Sequence, residues 1–129
     1  PQNMQKNPSY NNINKEILSY FENKIKQLHQ LGFYKIIIDP GFGFGKTIEH
    51  NYHLLNNLKK FKSLKTPILI GTSRKSMIYN LLETTPKEAL NGTSITNTIA
   101  LQNGANILRV HDVKEAVECI KIVTFAKKY

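Results

Sequence analysis

YKIII at residues 34–38 decides the fold class, together with two similar runs, PILI at residues 67–70 and NILRV at residues 106–110. All three runs are rich in β-branched and aliphatic side chains and lack a regular polar alternation. This pattern is typical of strands that are buried on both faces, as in a parallel sheet. We therefore predict three short parallel strands.

Helical patterns lie before, between and after the three runs. The first ends at Gly32, a common helix stop. TPKE at residues 85–88 predicts a capping box that opens a helical region reaching Gly104, with Gly92 as the position of any break. Asp112 and Glu115 predict the cap of a last helix. The apolar faces are Ile17, Phe21, Ile25 and Leu28 in the first helix, Tyr52, Leu55, Leu58 and Phe61 in the second, and Val113, Ala116, Val117, Ile120 and Val123 in the last.

The order of elements predicts an α/β fold of three βα units led by an extra helix, with right-handed crossovers. Three parallel strands alone would leave open sheet edges, whereas an eight-stranded TIM barrel needs about 250 residues. The 129 residues suit the last part of such a barrel, and they form one incomplete domain without a second one. Residues 1–12, rich in Asn, are expected to be a loop, and a start at Pro1 favours a fragment.

Composition argues against several classes of protein. The net charge is +9, but 16 of the 18 basic residues are scattered Lys without interleaved aromatic residues, so we expect no nucleic-acid partner. No apolar run reaches the roughly 20 residues of a membrane span, and no signal peptide opens the sequence. Cys119 lies alone in a helical pattern, which predicts a buried structural thiol and a cytoplasmic protein.

The rare residue types mark the expected site. The chain has only two Asp and two Arg, namely Asp39, Asp112, Arg74 and Arg109, and all four lie at or just beyond the carboxyl ends of the predicted strands. Ligands bind at that edge of a parallel α/β sheet. The helix cap explains Asp112. Pro40 prevents Asp39 from capping an immediate helix, so we assign Asp39 to ligand binding rather than to a turn.

The loop DPGFGFGKT at residues 39–47 has three glycines at alternate positions. It misses the phosphate-binding Walker A pattern because Pro40 stands where the first Gly belongs, and the dinucleotide pattern because Lys46 stands where the third belongs. A glycine-rich loop with two aromatic rings remains, which suits the close approach of a flat heterocycle to the backbone.

Two further segments carry polar groups. Ser73 is predicted to cap a short helix that attracts an anion, and Lys75 supplies donors for a carbonyl oxygen or a ring nitrogen. Arg109 and His111 are two residues apart in a strand, so they share a face and suit a phosphate clamp. We assign no role to the remaining histidines, His29, His50 and His53. The sequence shows neither the ligand spacing of a zinc site nor a Ser-His-Asp arrangement.

These segments together resemble the dihydropteroate synthases, which are pterin-binding TIM-barrel enzymes. The residues that carry the resemblance are Met4, Gln5, Asn7, Pro8 and Tyr10, then DPGFGFGK at residues 39–46, His50, Asn51, Leu54 and Leu55, then Gly71, SRKSMI at residues 73–78 and RVHDV at residues 109–113. The resemblance implies strands six to eight of the barrel. It also implies a transferase that displaces diphosphate from 6-hydroxymethyl-7,8-dihydropterin diphosphate with the amine of p-aminobenzoate, in folate biosynthesis.

The resemblance further implies a role for each site residue. Asp39 accepts hydrogen bonds from the pterin, and Lys75 contacts the pterin oxygen and a ring nitrogen. Arg109 and His111 hold the diphosphate, which makes them catalytic together with Lys75. Ser73 and its helix receive the p-aminobenzoate carboxylate in a pocket that is shaped by Gly43 and Phe44.

The implied cofactor is Mg²⁺, whose protein ligand belongs to the first five strands, to which nothing here corresponds; we therefore name no metal ligand. The implied partners are the two small-molecule substrates, and the full-length enzyme is expected to be a homodimer. Two alternatives remain open. One is another pterin-binding barrel, such as a methyltetrahydrofolate-dependent methyltransferase, and the other is an inactive truncated remnant.

Overall fold

A computed structural model of the chain describes residues 10–43 and 45–129. Its regular elements are five α-helices, two 3₁₀ helices and a two-stranded sheet within those residues. In chain order they are α1 (Tyr10–Gln30), α2 (Ile48–Asn56), a 3₁₀ helix (Leu58–Leu64), β1 (Leu69–Ile70), α3 (Ser76–Tyr79), a 3₁₀ helix (Pro86–Glu88), α4 (Leu90–Gln102), β2 (Ile107–Leu108) and α5 (Val113–Ala126).

Three parallel segments form the sheet in the order of the chain. Strand β1 pairs with β2 in the register Leu69 to Ile107, and Ile38 makes a parallel bridge to Ile68 on the other side. Strands lie within the second and third predicted runs, at Leu69–Ile70 and Ile107–Leu108. Ile107 and Leu108 are only partly buried, so the predicted burial on both faces was wrong for the third run. The first, at residues 34–38, is paired only at Ile38.

The prediction that residues 34–38 are buried on both faces was wrong. Ile38 is buried, but Tyr34 and Ile37 are exposed by 69% and 55%. This segment lies at the edge of the described sheet, so only the side toward Ile68 is paired. Successive side chains of a strand point to opposite faces, so Ile36 and Ile38 pack against the core while Ile37 lies on the opposite, exposed face.

The helices follow the predicted spacing better than the predicted caps. Helix α1 begins at Tyr10, so residues 10–12 of the expected loop are helical, and residues 1–9 lie outside the described residues. The capping box was wrong, because Thr85 makes no side-chain cap and Pro86 opens only a 3₁₀ turn. Helix α4 runs without a break through Gly92, where a Cβ would collide with Ile78 of α3.

The core lies between the sheet and helices α1 to α4. Buried aliphatic and aromatic side chains from every layer meet there, including Ile38, Phe42, Leu54, Leu58, Phe61, Ile68, Ile70 and Met77. Each fully buried large apolar side chain contributes roughly 1.5–3 kcal/mol. This core fixes the strand ends that carry the polar residues.

Helix α5 packs on α4 through Cys119 and Val123, which cluster with Leu101. The buried thiol predicted for Cys119 is confirmed, and its Sγ donates to the carbonyl of Ser94 at 3.6 Å. The predicted apolar face of α5 was partly wrong, because Val113, Val117 and Ile120 are exposed and only Ala116 and Val123 of that set are buried. The buried stripe is offset from the prediction because α4 is the neighbour that α5 packs against.

None of the described helices combines the length and apolar character that crossing a membrane requires.

Candidate active site

The carboxyl ends of the three parallel segments bring the rare charged residues together in pairs. Asp39 follows the bridge at Ile38 and forms an ion pair with Arg109, with Oδ2 and Nη1 3.2 Å apart. Arg74 and Asp112 form a second ion pair, with Nε and Oδ2 2.9 Å apart. All four residues thus lie at one edge of the sheet, as the sequence predicts.

The Asp39–Arg109 pair spans the middle strand, because Asp39 and Arg109 follow the two outer segments. Gly71 follows the middle strand, and a Cβ on Gly71 would lie 2.8 Å from Nη2 and 3.2 Å from Nε of Arg109. The guanidinium therefore crosses over a position that has no side chain. Both partners retain access to solvent, since their side chains are 34% and 59% exposed.

The glycine-rich loop adopts the backbone angles that its glycines permit. Gly41, Gly43 and Gly45 have φ values of 77°, 97° and 72°, in the left-handed region that favours glycine. The amide of Gly41 donates to Oδ1 of Asp39 at 3.0 Å, so Asp39 does make a turn bond in addition to its ion pair. The assignment of Asp39 to ligand binding instead of a turn was incomplete in this respect.

Helix α2 holds the other side of the loop. Its residue Asn51 accepts from the amide of Gly43 at 2.8 Å and donates to the carbonyl of Thr47 at 2.9 Å. Thr47 in turn caps α2 by accepting from the amide of His50. Phe42 is only 1% exposed, so its ring belongs to the core. Phe44 lies outside the described residues.

Two lysines add positive charge next to Asp39. Lys75 Nζ donates to the carbonyl of Phe42 at 2.9 Å, and Lys46 Nζ donates to the carbonyl of Gly41. Burial lowers the pKa of Lys75, and the nearby charge of Arg109 lowers it further, while Asp39 opposes both effects. Burial likewise lowers the pKa of Lys46, again opposed by Asp39. The site is therefore a cluster of cations around one carboxylate, which attracts anions.

Ser73 and His111 form a direct contact between neighbouring segments. Ser73 Oγ lies 2.9 Å from Nδ1 of His111 and accepts from the backbone amide of His111 at 3.1 Å. Ser73 is buried, whereas His111 is exposed. The predicted helix cap at Ser73 was wrong: the cap position of α3 is Lys75, and the Ser73 hydroxyl bonds to His111 instead.

Arg74 and Asp112 form the next contact along the same two segments. The guanidinium donates to both carboxylate oxygens of Asp112, at 2.9 and 3.1 Å, and to the carbonyls of Pro86 and Lys87, both at 2.8 Å. These hydrogen bonds lower the pKa of Asp112. Asp112 occupies the predicted cap position of the last helix, but the predicted cap hydrogen bond was wrong, because the side chain binds Arg74 instead.

A cavity of about 160 Å³ collects the predicted anion-binding groups. Its lining contains Ser73, Lys75, Arg109 and His111, together with Gly71 and Val110. Arg109 and His111 thus face one cavity, as their spacing indicates, and Gly43 lies near Lys75, since a Cβ on it would be 3.9 Å from that side chain. No cluster of three or more His, Cys, Asp or Glu suited to a metal ion occurs among residues 10–43 and 45–129.

Sequence reasoning missed the pairing of Arg74 with Asp112 and the role of Asn51 as the residue that holds the loop. The second could have been found. Asn51 stands at helical spacing from the buried Leu54 and Leu55, and a buried polar side chain needs hydrogen-bond partners.

Comparison with known proteins identifies the family. The family model described as "Pterin binding enzyme" matches residues 1–111. The chain belongs to this family of pterin-binding enzymes. A dihydropteroate synthase from Escherichia coli is 46% identical over 125 residues, which are 95% of this chain and 44% of that protein. A bifunctional dihydropteroate synthase/dihydropteroate reductase from Helicobacter pylori is 40% identical over 122 residues, or 95% of this chain and 32% of that protein.

Solved structures of pterin-binding enzymes have the same fold. The dihydropteroate synthase of Coxiella burnetii in complex with pteroic acid is similar with a TM-score of 0.91 at 35% identity, over 95% of this chain and 48% of that one. The Yersinia pestis dihydropteroate synthase in complex with a sulfonamide drug has a TM-score of 0.89 at 40% identity, over 98% of this chain and 47% of that one. The chain thus has the fold of part of a dihydropteroate synthase, and it spans less than half the length of these relatives.

Proposed function

We propose that this chain supplies strands six to eight, with their helices, of a dihydropteroate synthase barrel. The observation that carries the proposal is the set of groups at one sheet edge: the Asp39 carboxylate, surrounded by Lys75, Arg109 and Lys46, beside a cavity that His111 also lines. Relatives at 35–46% identity support it. The parallel order of the three segments and the extra helix α1 before them fit the end of a barrel.

The reaction joins two small molecules by substitution. The amine nitrogen of p-aminobenzoate forms a bond to the methylene carbon of 6-hydroxymethyl-7,8-dihydropterin diphosphate, while the carbon–oxygen bond breaks and diphosphate leaves with its electron pair. The amine then loses one proton to solvent. Negative charge develops on the leaving oxygen, so fixed cations beside it lower the barrier.

The site residues suit the two ends of the pterin substrate. Asp39 offers two acceptor oxygens to the ring N–H and the amino group, and Lys75 offers donors to the ring oxygen and nitrogen. Arg109 and His111 take the diphosphate, for which a planar guanidinium fork is well suited. Binding of the pterin diphosphate would replace the Asp39–Arg109 pair, because each partner gains a ligand of its own.

The p-aminobenzoate is expected on the Ser73 side of the site, next to the loop of Gly43 and Phe44. Gly43 lies close to Lys75, which fits this placement. The resemblance also gives the Ser73 hydroxyl to the p-aminobenzoate carboxylate, but that hydroxyl contacts Nδ1 of His111 at 2.9 Å. The N-terminus of α3 is therefore left as the position proposed for the carboxylate.

The magnesium that the family resemblance implies has no ligand set among the described residues, so none of the steps above is routed through it. The homodimer and the cytoplasmic location of the full-length enzyme stay predictions.

The proposal is tested in a complete barrel, which we define as this chain joined to the part of the Escherichia coli relative that the match does not cover. The hybrid barrel should form 7,8-dihydropteroate and release one diphosphate per product. It should lose that activity when Lys75 is replaced by Ala, and a Lys114→Ala variant, at an exposed position on α5, is the matched control. Methyl transfer from methyltetrahydrofolate without diphosphate release would favour the methyltransferase alternative, and a folded hybrid with neither activity would favour the remnant.

A further inference from the structure

We infer that Ser73 is a positioning residue for His111: it fixes the imidazole as the tautomer that carries hydrogen on Nε2, so that this N–H points away from Ser73 as a donor to diphosphate. The inference rests on the proposed function for the identity of the anion. It assigns Ser73 to the diphosphate half of the site rather than to the p-aminobenzoate half.

The hydrogen-bonding capacity of a hydroxyl group decides the tautomer. The Ser73 hydroxyl has one hydrogen and two lone pairs, and the backbone amide of His111 occupies one lone pair at 3.1 Å. Nδ1 of His111 is the second partner, at 2.9 Å. If Nδ1 carried the hydrogen, the hydroxyl would accept twice and its own hydrogen would need another acceptor.

Within residues 10–43 and 45–129, the hydroxyl of Ser73 has no hydrogen-bond partner besides those two atoms. Ser73 is 6% exposed, and leaving a buried donor unpaired is unfavourable. The arrangement that satisfies every group has the hydroxyl donating to Nδ1. The neutral imidazole then carries its hydrogen on Nε2.

The surroundings hold this contact in place. Arg74, which follows Ser73, binds Asp112, which follows His111, through two hydrogen bonds. The carbonyls of Pro86 and Lys87 fix the same guanidinium from another side. Two consecutive residues on one segment are thus joined to two consecutive residues on the other, so the imidazole ring is oriented before a ligand arrives.

Arg109 and His111 would therefore offer two different kinds of donor to an anion in the cavity. Arg109 offers a charged fork, and His111 as the Nε2–H tautomer offers one directed N–H; both line the same space. A hydroxyl that donates to Nδ1 has no hydrogen left for a carboxylate. Replacing Ser73 should therefore weaken the binding of diphosphate and change the binding of p-aminobenzoate only slightly.

The tautomer is measured by nitrogen-15 NMR of the histidine rings at pH 8 in the 129-residue chain, where His111 is assigned by its loss in His111→Gln. Wild type should show hydrogen on Nε2 of His111, and Ser73→Ala should give a mixture of tautomers. Titration with inorganic diphosphate should shift the His111 signals, with affinity about ten- to a hundredfold lower in Ser73→Ala. Ser63→Ala, an exposed serine that bonds only locally to Lys60, is the matched control and should behave as wild type.

Hydrogen on Nδ1 in the wild-type chain would overturn the inference, because the hydroxyl would then be free to donate elsewhere. Steady-state kinetics in the hybrid barrel give a second, independent readout if the variant unfolds the isolated chain. We expect Ser73→Ala to lower kcat/KM for the pterin diphosphate about tenfold or more and to leave the KM of p-aminobenzoate within about twofold. A rise confined to the KM of p-aminobenzoate would refute the inference while leaving the proposed synthase activity intact. An inactive hybrid with the predicted tautomer would instead refute the proposed function alone.

Discussion

Gly71→Ala should weaken diphosphate binding without unfolding the protein. The new Cβ would lie 2.8 Å from Nη2, 3.2 Å from Nε and 3.3 Å from Cζ of Arg109, so the guanidinium must move by several tenths of an ångström or more. That movement separates it from Asp39 and misaligns its donors toward diphosphate. Losing one hydrogen bond to a charged group costs about 1.5–3 kcal/mol, or roughly ten- to a hundredfold in affinity.

The cost in folding should be much smaller. The Asp39–Arg109 pair is well exposed, and such pairs contribute about 0–1 kcal/mol. Gly71 is not among the glycines with positive φ, so Ala can adopt its backbone conformation and gains about 0.4–1 kcal/mol from the unfolded state. We expect the free energy of unfolding to change by no more than about 1 kcal/mol.

The assay is calorimetry of the hybrid barrel with the pterin diphosphate and, separately, with the pterin alcohol that lacks the diphosphate. Affinity should fall for the diphosphate and stay nearly constant for the alcohol. A double-mutant cycle with Arg109→Lys, which keeps the charge but loses the planar fork, tests whether Gly71→Ala acts through the guanidinium. If Gly71→Ala weakens binding as strongly in the Arg109→Lys background as in wild type, the effect does not pass through the guanidinium and the reasoning fails.

Three further outcomes are expected. The isolated chain should show no measurable dihydropteroate synthesis because the rest of the barrel is needed to complete the pterin pocket; robust turnover beside an active hybrid control would contradict this. Asp39→Asn in the hybrid should weaken the bare pterin by roughly ten- to a hundredfold, because an amide offers one acceptor where two donors need pairing; calorimetry showing equal losses for pterin and p-aminobenzoate would remove Asp39 from the pterin site. Because Arg74 lowers the pKa of Asp112 in the folded chain, the pair stabilises the fold above the ordinary carboxyl value of 3.8 and loses that contribution as pH falls through the lower folded value. As pH falls through that range, the melting temperature should therefore drop more steeply for wild type than for Asp112→Asn. Parallel curves of melting temperature against pH would show that the pair does not contribute.

The sequence was sufficient to predict which edge of the sheet carries the polar groups. Residues that directly follow buried strands reach the same edge in any parallel sheet, so Asp39, Arg74, Arg109 and Asp112 could be placed together without knowing the strand order. The helices could be predicted for a similar reason, since apolar spacing reports burial. Their caps were harder to predict. Thr85, Ser73 and Asp112 are common cap residues by type, but none of their side chains makes a cap bond.

For two of these three residues, Ser73 and Asp112, a tertiary partner competed for the side chain. A cap is a local hydrogen bond of about 1 kcal/mol, whereas a bidentate guanidinium contact or a buried hydroxyl–imidazole contact is at least as favourable. Asp112 binds Arg74, and Ser73 binds His111, 38 residues away along the chain in each case. Local sequence cannot reveal such a partner, because the partner is set by which segments become neighbours in the sheet.

The pairing of the other two charges depends on a residue that carries no side chain. Asp39 and Arg109 follow segments that are separated by the strand leading to Gly71, so a direct pair between them must cross that strand. Any side chain at residue 71 would occupy the path of the guanidinium, as the 2.8 Å separation of a Cβ from Nη2 demonstrates. The sequence contained this information as a glycine that directly follows a buried strand and belongs to neither a predicted turn nor a phosphate-binding pattern. At this strand end, the absence of a side chain at Gly71 lets the Arg109 side chain pass over the sheet edge to Asp39.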